Sequence, residues 1–168
     1  MTFELKTLST DAVPGALEKA QLYRLLNEPA EAESICRDVL EVDPENQDAL
    51  VTLLLALTDQ FDLDHASAFG EARKAIERID NPYSHAYYAG IVHERRAKAE
   101  RRHHLPGGGP RAYAWLREAM ARYEEAESMR PPGNDDALLR WNACARLIMR
   151  DRQLVPATEE REEPLLLE

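Results

Sequence analysis

Apolar side chains recur along this chain at the i, i+3, i+4, i+7 spacing that gives a helix one buried stripe, and nowhere with the alternation of a half-buried strand. Val13, Ala16, Leu17 and Ala20, continued by Tyr23, mark a first helix. Only Asn27 and Glu28 separate it from Pro29, which suits a helix opening because a first-turn N–H has no intrahelical acceptor. Ala32, Ile35, Cys36 and Val39 then form a second stripe, and so short a link predicts antiparallel contact between the two helices. Asp43-Pro44-Glu45-Asn46 ends the second helix, since proline cannot continue the hydrogen-bond ladder, and offers Asn46 as the cap of a third bearing Leu50, Leu53, Leu54 and Leu57. Asp62 or Asp64 is placed to cap a fourth helix with Ala68, Ala72, Ala75, Ile76 and Ile79. A fifth starts near Tyr83 and runs through Ala86, Ala89, Gly90 and His93 into the polar stretch ERRAKAERRHH. LPGGGP, residues 105–110, interrupts it. A sixth helix is expected from Arg111, with Ala112, Trp115, Leu116, Ala119, Tyr123 and Ala126 inward, and stops at Arg130-Pro131-Pro132-Gly133. Asn134 or Asp135 caps a seventh carrying Ala137, Leu138, Trp141, Cys144, Ala145 and Ile148.

The second, fourth and sixth helices share a longer-range regularity. Each sets two small residues seven positions apart ahead of a proline: Ala32 and Val39 before Pro44, Ala68 and Ala75 before Pro82, Ala119 and Ala126 before Pro131. An internal repeat of this kind predicts a stack of helical hairpins, each unit burying its apolar face against the next.

Composition adds limits. With 168 residues, 44% of them apolar and 31% charged, the chain suits one domain with a sizeable core. The formal charge of −10, of which −4 falls in the last ten residues, argues against a general nucleic-acid binder. Cys36 and Cys144 both lie on apolar stripes, as buried free thiols in a reducing compartment would. MTFELKTLSTDAVPG shows neither a basic start nor an apolar run of signal-peptide length, and LVTLLLAL at 50–57 is far too short to span a bilayer; both point to a soluble, cytoplasmic protein away from membranes. Residues 1–12 read as an N-terminal extension, 13–151 as the helical-repeat domain, and 152–168 as an acidic, partly disordered or loosely docked tail whose Leu165–Leu167 is oddly apolar.

The pattern resembles the tetratricopeptide repeat, a 34-residue helix-turn-helix unit with small residues where its helices touch and a proline near the turn to the next unit. Ala20, Tyr23, Ala32 and Pro44 stand at the family spacing, and DPEN followed by Ala49-Leu50 is the usual exit sequence. The second unit keeps Ala68, Ala75 and Pro82 but has Leu54 where a small residue is usual; the third carries Gly90, Ala119, Tyr123, Ala126 and Pro131. The Pro44–Pro82 and Pro82–Pro131 intervals, 38 and 49 residues, exceed the family period. The resemblance implies an all-α fold of about seven helices, a right-handed α-solenoid of antiparallel hairpins with the seventh helix as cap. It also implies a protein-binding scaffold that is not an enzyme and needs no cofactor. Its open end, covered only by MTFELKTL, leaves room for self-association into a homo-oligomer.

Family geometry would line an inner groove with Leu17, Gln21 and Arg24 from the first unit, Val51, Leu55 and Thr58 from the second, and Tyr87, Ile91 and Glu94 from the third. Such mostly apolar walls suit an amphipathic helix or an apolar extended peptide, and several of these side chains equally suit packing against a neighbouring helix. Family members that grip the acidic carboxyl terminus of heat-shock chaperones use lysines, arginines and asparagines here; Leu17, Val51 and Leu55 do not fit that partner.

The lengthened third unit should project a hairpin beyond the stack. Between residues 94 and 111 the cations Arg95, Arg96, Lys98, Arg101, Arg102 and Arg111 outnumber Glu94 and Glu100, with Tyr113 and Trp115 adjacent. This basic hairpin is either a solvated extension or a site for an acidic segment, including the chain's own EEREE; nucleic acid is the alternative ligand. His65, His85, His93, His103 and His104 lack a zinc-type ligand spacing, and the triple glycine lacks the lysine and strand of a phosphate loop. No nucleophile stands with a base and an orienting group, so a small helical enzyme is the least supported reading.

Overall fold

The structure, a computed structural model, describes residues 2–62, 65–102 and 107–157, with 65 and 66 described in backbone only. The expected cap Asp64, His103, His104, the start of the glycine loop and the tail from residue 158 lie outside the described residues.

Among the described residues the chain is all helical, with seven α-helices and no strand: α1 Val13–Leu25, α2 Pro29–Val42, α3 Gln47–Asp59, α4 His65–Ile76, α5 Pro82–Arg102, α6 Gly108–Ser128 and α7 Asp136–Arg150. A 3-10 turn, Thr10–Ala12, leads into α1. Among those residues no helix is long and apolar enough to cross a membrane.

Local chemistry sets the boundaries. Pro29 opens α2 as its sequence position foretold. Asn27 between α1 and α2 adopts a left-handed φ of 60°, which asparagine tolerates better than most side chains, and the Glu28 N–H closes the turn on the Tyr23 carbonyl at 2.8 Å. Asn46 caps α3, its Oδ1 accepting from the Ala49 N–H at 2.9 Å. At α7 the two candidate caps divide their work: Asp135 holds the cap position with its side chain turned to Arg130 at 2.7 Å and no bond to the helix N–H groups, while Asn134 Oδ1 accepts from the Asp136 N–H and from the Tyr83 hydroxyl.

One boundary differs from expectation. α6 begins at Gly108 instead of Arg111, so Gly108, Gly109 and Pro110 form its first turn. Proline is tolerated there because first-turn N–H groups lack intrahelical acceptors, and Gly107 at φ 70° makes the left-handed step that a side chain would resist.

Each helix packs on the next in sequence, and α1 also meets α3, as α3 meets α5. Small residues sit at the contacts: Ala20, Ala32, Ala72, Ala97, Ala112, Ala119 and Ala126 are fully buried. The core divides into two main clusters. Ala20, Cys36, Leu54, Phe61, Ala72 and Val92 belong to one; Ile91, Leu116, Tyr123, Ala137, Cys144 and Leu154 belong to the other. α5 contributes buried residues to both, Ala89, Val92 and Ala99 to the first and Ala86, Ile91 and Ala97 to the second. Within residues 1–12, Leu8 packs beside Val13, Val39 and Ala49, whereas Phe3 and Leu5 stay exposed. Leu22, Leu25 and Leu26 at the far end of α1 are exposed as well.

α5 and α6, 21 residues each against 13 for α1 and α3, carry the length added to the third unit. The eight extra residues extend α5 by about 12 Å, on a helical rise of about 1.5 Å per residue. The segment after α7 returns to this end: Leu154 is 3% exposed and Arg101 holds Asp151 at 2.5 Å. The first residues of the expected loose tail are therefore docked on α5 and α6.

Candidate functional site

A trough of about 540 Å³ opens where α1, α3 and the start of α5 converge. Its floor combines Val51, Leu55, Ile79 and Tyr88; its walls carry Gln21 and Arg24 from α1, Gln47, Asp48 and Thr52 from α3, and Asp80, Asn81 and Ser84 from the α4–α5 turn and the first turn of α5. The α4–α5 turn is held in place by Gln47, whose Oε1 accepts from the Asp80 N–H at 3.0 Å while its Nε2 donates to the Arg78 carbonyl at 3.3 Å. Arg78 reaches back to the Pro44 carbonyl, which fastens the same turn to the α2–α3 link.

Of the nine residues expected in the groove, the trough brings together Gln21, Arg24, Val51 and Leu55. Leu17 instead packs against the Val13, Val39 and Ala49 cluster. Thr58 is buried, its hydroxyl donating to the Leu55 carbonyl at 2.7 Å and accepting from Arg95 at 2.8 Å. The third unit departs most. Tyr87 stacks on Tyr83 with ring centroids 5.8 Å apart and lies 6.0 Å from Tyr123; Ile91, 3% exposed, is core; Glu94, 1% exposed, is enclosed by α5, α6 and α7. Ser84 and Tyr88 line the trough in their stead.

The cause is the orientation of α5. Residues 87, 90, 91 and 94 share one helical face, and Gly90 marks it as the face of closest approach: a Cβ there would stand 2.5 Å from Tyr123 Cε1. That face belongs to α6, which leaves positions 84 and 88, about a quarter-turn away, for α3. The glycine was the signal in the sequence that fixes this register.

The buried Glu94 is a junction of three helices. Its carboxylate accepts from the Tyr123 hydroxyl at 2.6 Å, from Lys98 at 2.5 Å and from Arg140 at 3.3 Å. Burial alone would push its pKa up, but the hydrogen bonds from Lys98 and Tyr123 and the positive charges of Lys98 and Arg140 hold it below the usual carboxylate range. Burial and the neighbouring Glu94 push the Tyr123 hydroxyl far in the other direction, so it serves as a donor. Ionised and fully bonded, Glu94 joins helices and has no proton to exchange with a substrate.

The cations of the basic hairpin have partners within the chain. Each of its six cations is directed at a carboxylate of this chain: Arg95 at Asp59, Arg96 at Glu100 (3.0 Å), Lys98 at Glu94, Arg101 at Asp151, Arg102 at Asp62 (2.8 Å) and Arg111 at Glu100 (3.3 Å). Asp59, Asp62 and Asp151 come from outside the stretch and offset much of an excess that the local sequence leaves open. Arg96 also lies over the Phe69 ring at 5.3 Å. Trp115 completes a triangle of rings with Phe69 at 5.2 Å and His93 at 5.4 Å, and Tyr113 packs against the second cluster, so neither aromatic forms a free shelf beside the cations.

A smaller cavity of about 310 Å³ lies among Gly107–Pro110, Glu100, Arg101, Asp151 and Leu154. Glu100 and Asp151 already meet Arg111 and Arg101 there, so the helix start offers no unspent positive charge to an anion. Among the described residues no group of three or more histidine, cysteine or acidic side chains could hold a metal ion. Cys36 and Cys144 are buried free thiols, their pKa values pushed up to about 12 by burial, which removes them as nucleophiles near neutral pH.

Compared with protein-family models, with curated proteins and with solved structures, the chain gives no match. The likeness to the tetratricopeptide repeat rests on the residues named above, and the trough is a concave surface that α1, α3 and α5 build together.

Proposed function

We propose that the protein is a non-enzymatic, cytoplasmic scaffold whose hairpins stack as a right-handed, tetratricopeptide-like α-solenoid, and that the trough between α1, α3 and α5 holds a peptide or helix of a partner protein. One observation carries the reading: α1 meets α3, α3 meets α5, and the three together wall a cavity that contains Gln21, Arg24, Val51 and Leu55, four residues that the family geometry would put on the inner face. The cavity lies within the roughly 300–1,000 Å³ of sites that take small ligands or a few side chains of a peptide. Its mixture of apolar floor and polar walls favours recognition by pockets along a segment. The buried free thiols suit a reducing compartment.

Selection of binders from a random peptide library tests this. Ser84→Trp adds a large side chain to an open wall and leaves the core untouched, so it should abolish capture of the selected peptides while circular dichroism stays unchanged. Peptides that bind the wild type and the Ser84→Trp variant equally well would remove the trough from the account.

A further inference from the structure

Charge in the trough is unevenly spent. Arg24, the one cation among the described residues that line the trough, donates to Asp59 at 2.9 Å, a carboxylate it shares with Arg95, so its charge is held by an ion pair and only partly offset. Asp48 and Asp80 stand on the same walls, both exposed, and among the described residues their carboxylates make no ion pair. Asp48 is close enough to Tyr88 on the floor to add to the rise in the pKa of its hydroxyl, behind burial, Tyr87 and Asp136 and opposed by Arg24. Two unspent carboxylates thus flank an apolar floor made by Val51, Leu55, Ile79 and Tyr88.

Resting on the trough reading, we infer that its occupant is a cationic-apolar peptide segment, in which a lysine or arginine lies beside large apolar side chains. The apolar residues would cover the floor, and the cation would meet Asp48 and Asp80. A carboxylate-bearing segment would face two like charges against a single arginine already engaged with Asp59, and so would bind more weakly. The acidic balance of the chain, −10 overall, adds a long-range attraction for such a segment that salt should weaken. This selectivity is opposite in sign to that expected of the basic hairpin, where the cations already have partners.

Three synthetic fluorescent peptides test it, identical in a leucine-rich framework and differing only in whether the variable positions hold lysine, glutamine or glutamate. Binding to the full chain is read by fluorescence anisotropy at low and at physiological salt. The lysine peptide should bind tightest and lose affinity with salt, and the pair Asp48→Asn with Asp80→Asn should weaken it about tenfold, as two partly exposed ion pairs are expected to. Ser84→Trp should abolish binding of that peptide. Equal affinity for all three peptides, unchanged in the double asparagine variant but lost in Ser84→Trp, would overturn the charge preference and leave the trough standing. Binding that ignores Ser84→Trp, or no binding of any of the three, would overturn both.

Discussion

Gly90 and Tyr123 show how one missing Cβ orders a larger region. The aromatic ring occupies the space a side chain at 90 would need, and its hydroxyl thereby reaches Glu94. Gly90→Ala would gain helix propensity worth about 1 kcal/mol but force the ring away from α5; the expected net loss is about 1–2 kcal/mol, a fall of several degrees in Tm by differential scanning calorimetry. An unchanged or raised Tm would mean that the ring shifts freely and that the close approach contributes little. Glu94 makes the complementary point: an acidic residue on a polar-looking stretch can be one of the most buried side chains in the molecule when each oxygen finds a donor.

Helix by helix, most of the architecture was legible from the chain alone, because stripes, caps and prolines act locally. Asn46, Pro29 and Pro131 bound their helices where local rules place them. What stays hidden is rotational: periodicity reveals that α5 has a buried face but not which neighbour owns it, so it does not tell groove from core for Tyr87, Ile91 and Glu94, nor place Ser84 and Tyr88 on the trough. The ion pairing of the basic hairpin was hidden for a related reason. Asp59, Asp62 and Asp151 are about 35–50 positions away along the chain, and only folding brings them to Arg95, Arg102 and Arg101. The docking of residues 151–155 on α6 is equally non-local. A Cβ on Gly109 would lie 2.3 Å from the Gln153 carbonyl oxygen, a backbone atom that cannot turn aside. Gly109→Ala should therefore lift this segment, seen as faster amide hydrogen exchange at Leu154 with protection in α1–α4 unchanged; equal exchange at Leu154 would show that the first turn of α6 can yield instead.

For the molecule as a whole, pH should act through α5. Burial holds His93 below its ordinary 6.5, with Arg122 and Arg73 adding to that and Glu118 opposing it, so the unfolded chain takes a proton before the folded one does. Stability contributed there is complete above about pH 6.5 and declines as pH falls toward the folded value. Glu94, also depressed, adds stability that is complete above the ordinary carboxylate range and is lost as pH falls through its folded value. Denaturant midpoints measured across this interval should show two successive declines, the first removed by His93→Leu and the second flattened by Glu94→Gln, which should also be less stable at neutral pH. A single decline unaffected by either change would place the acid sensitivity elsewhere. Both groups sit on α5, the one described helix that gives fully buried residues to both main clusters. Under tension applied at the two termini, peripheral coils would peel away before the centre gives, because that helix must be torn from two beds together; the toughest point of the polypeptide falls midway along it and not at either tip.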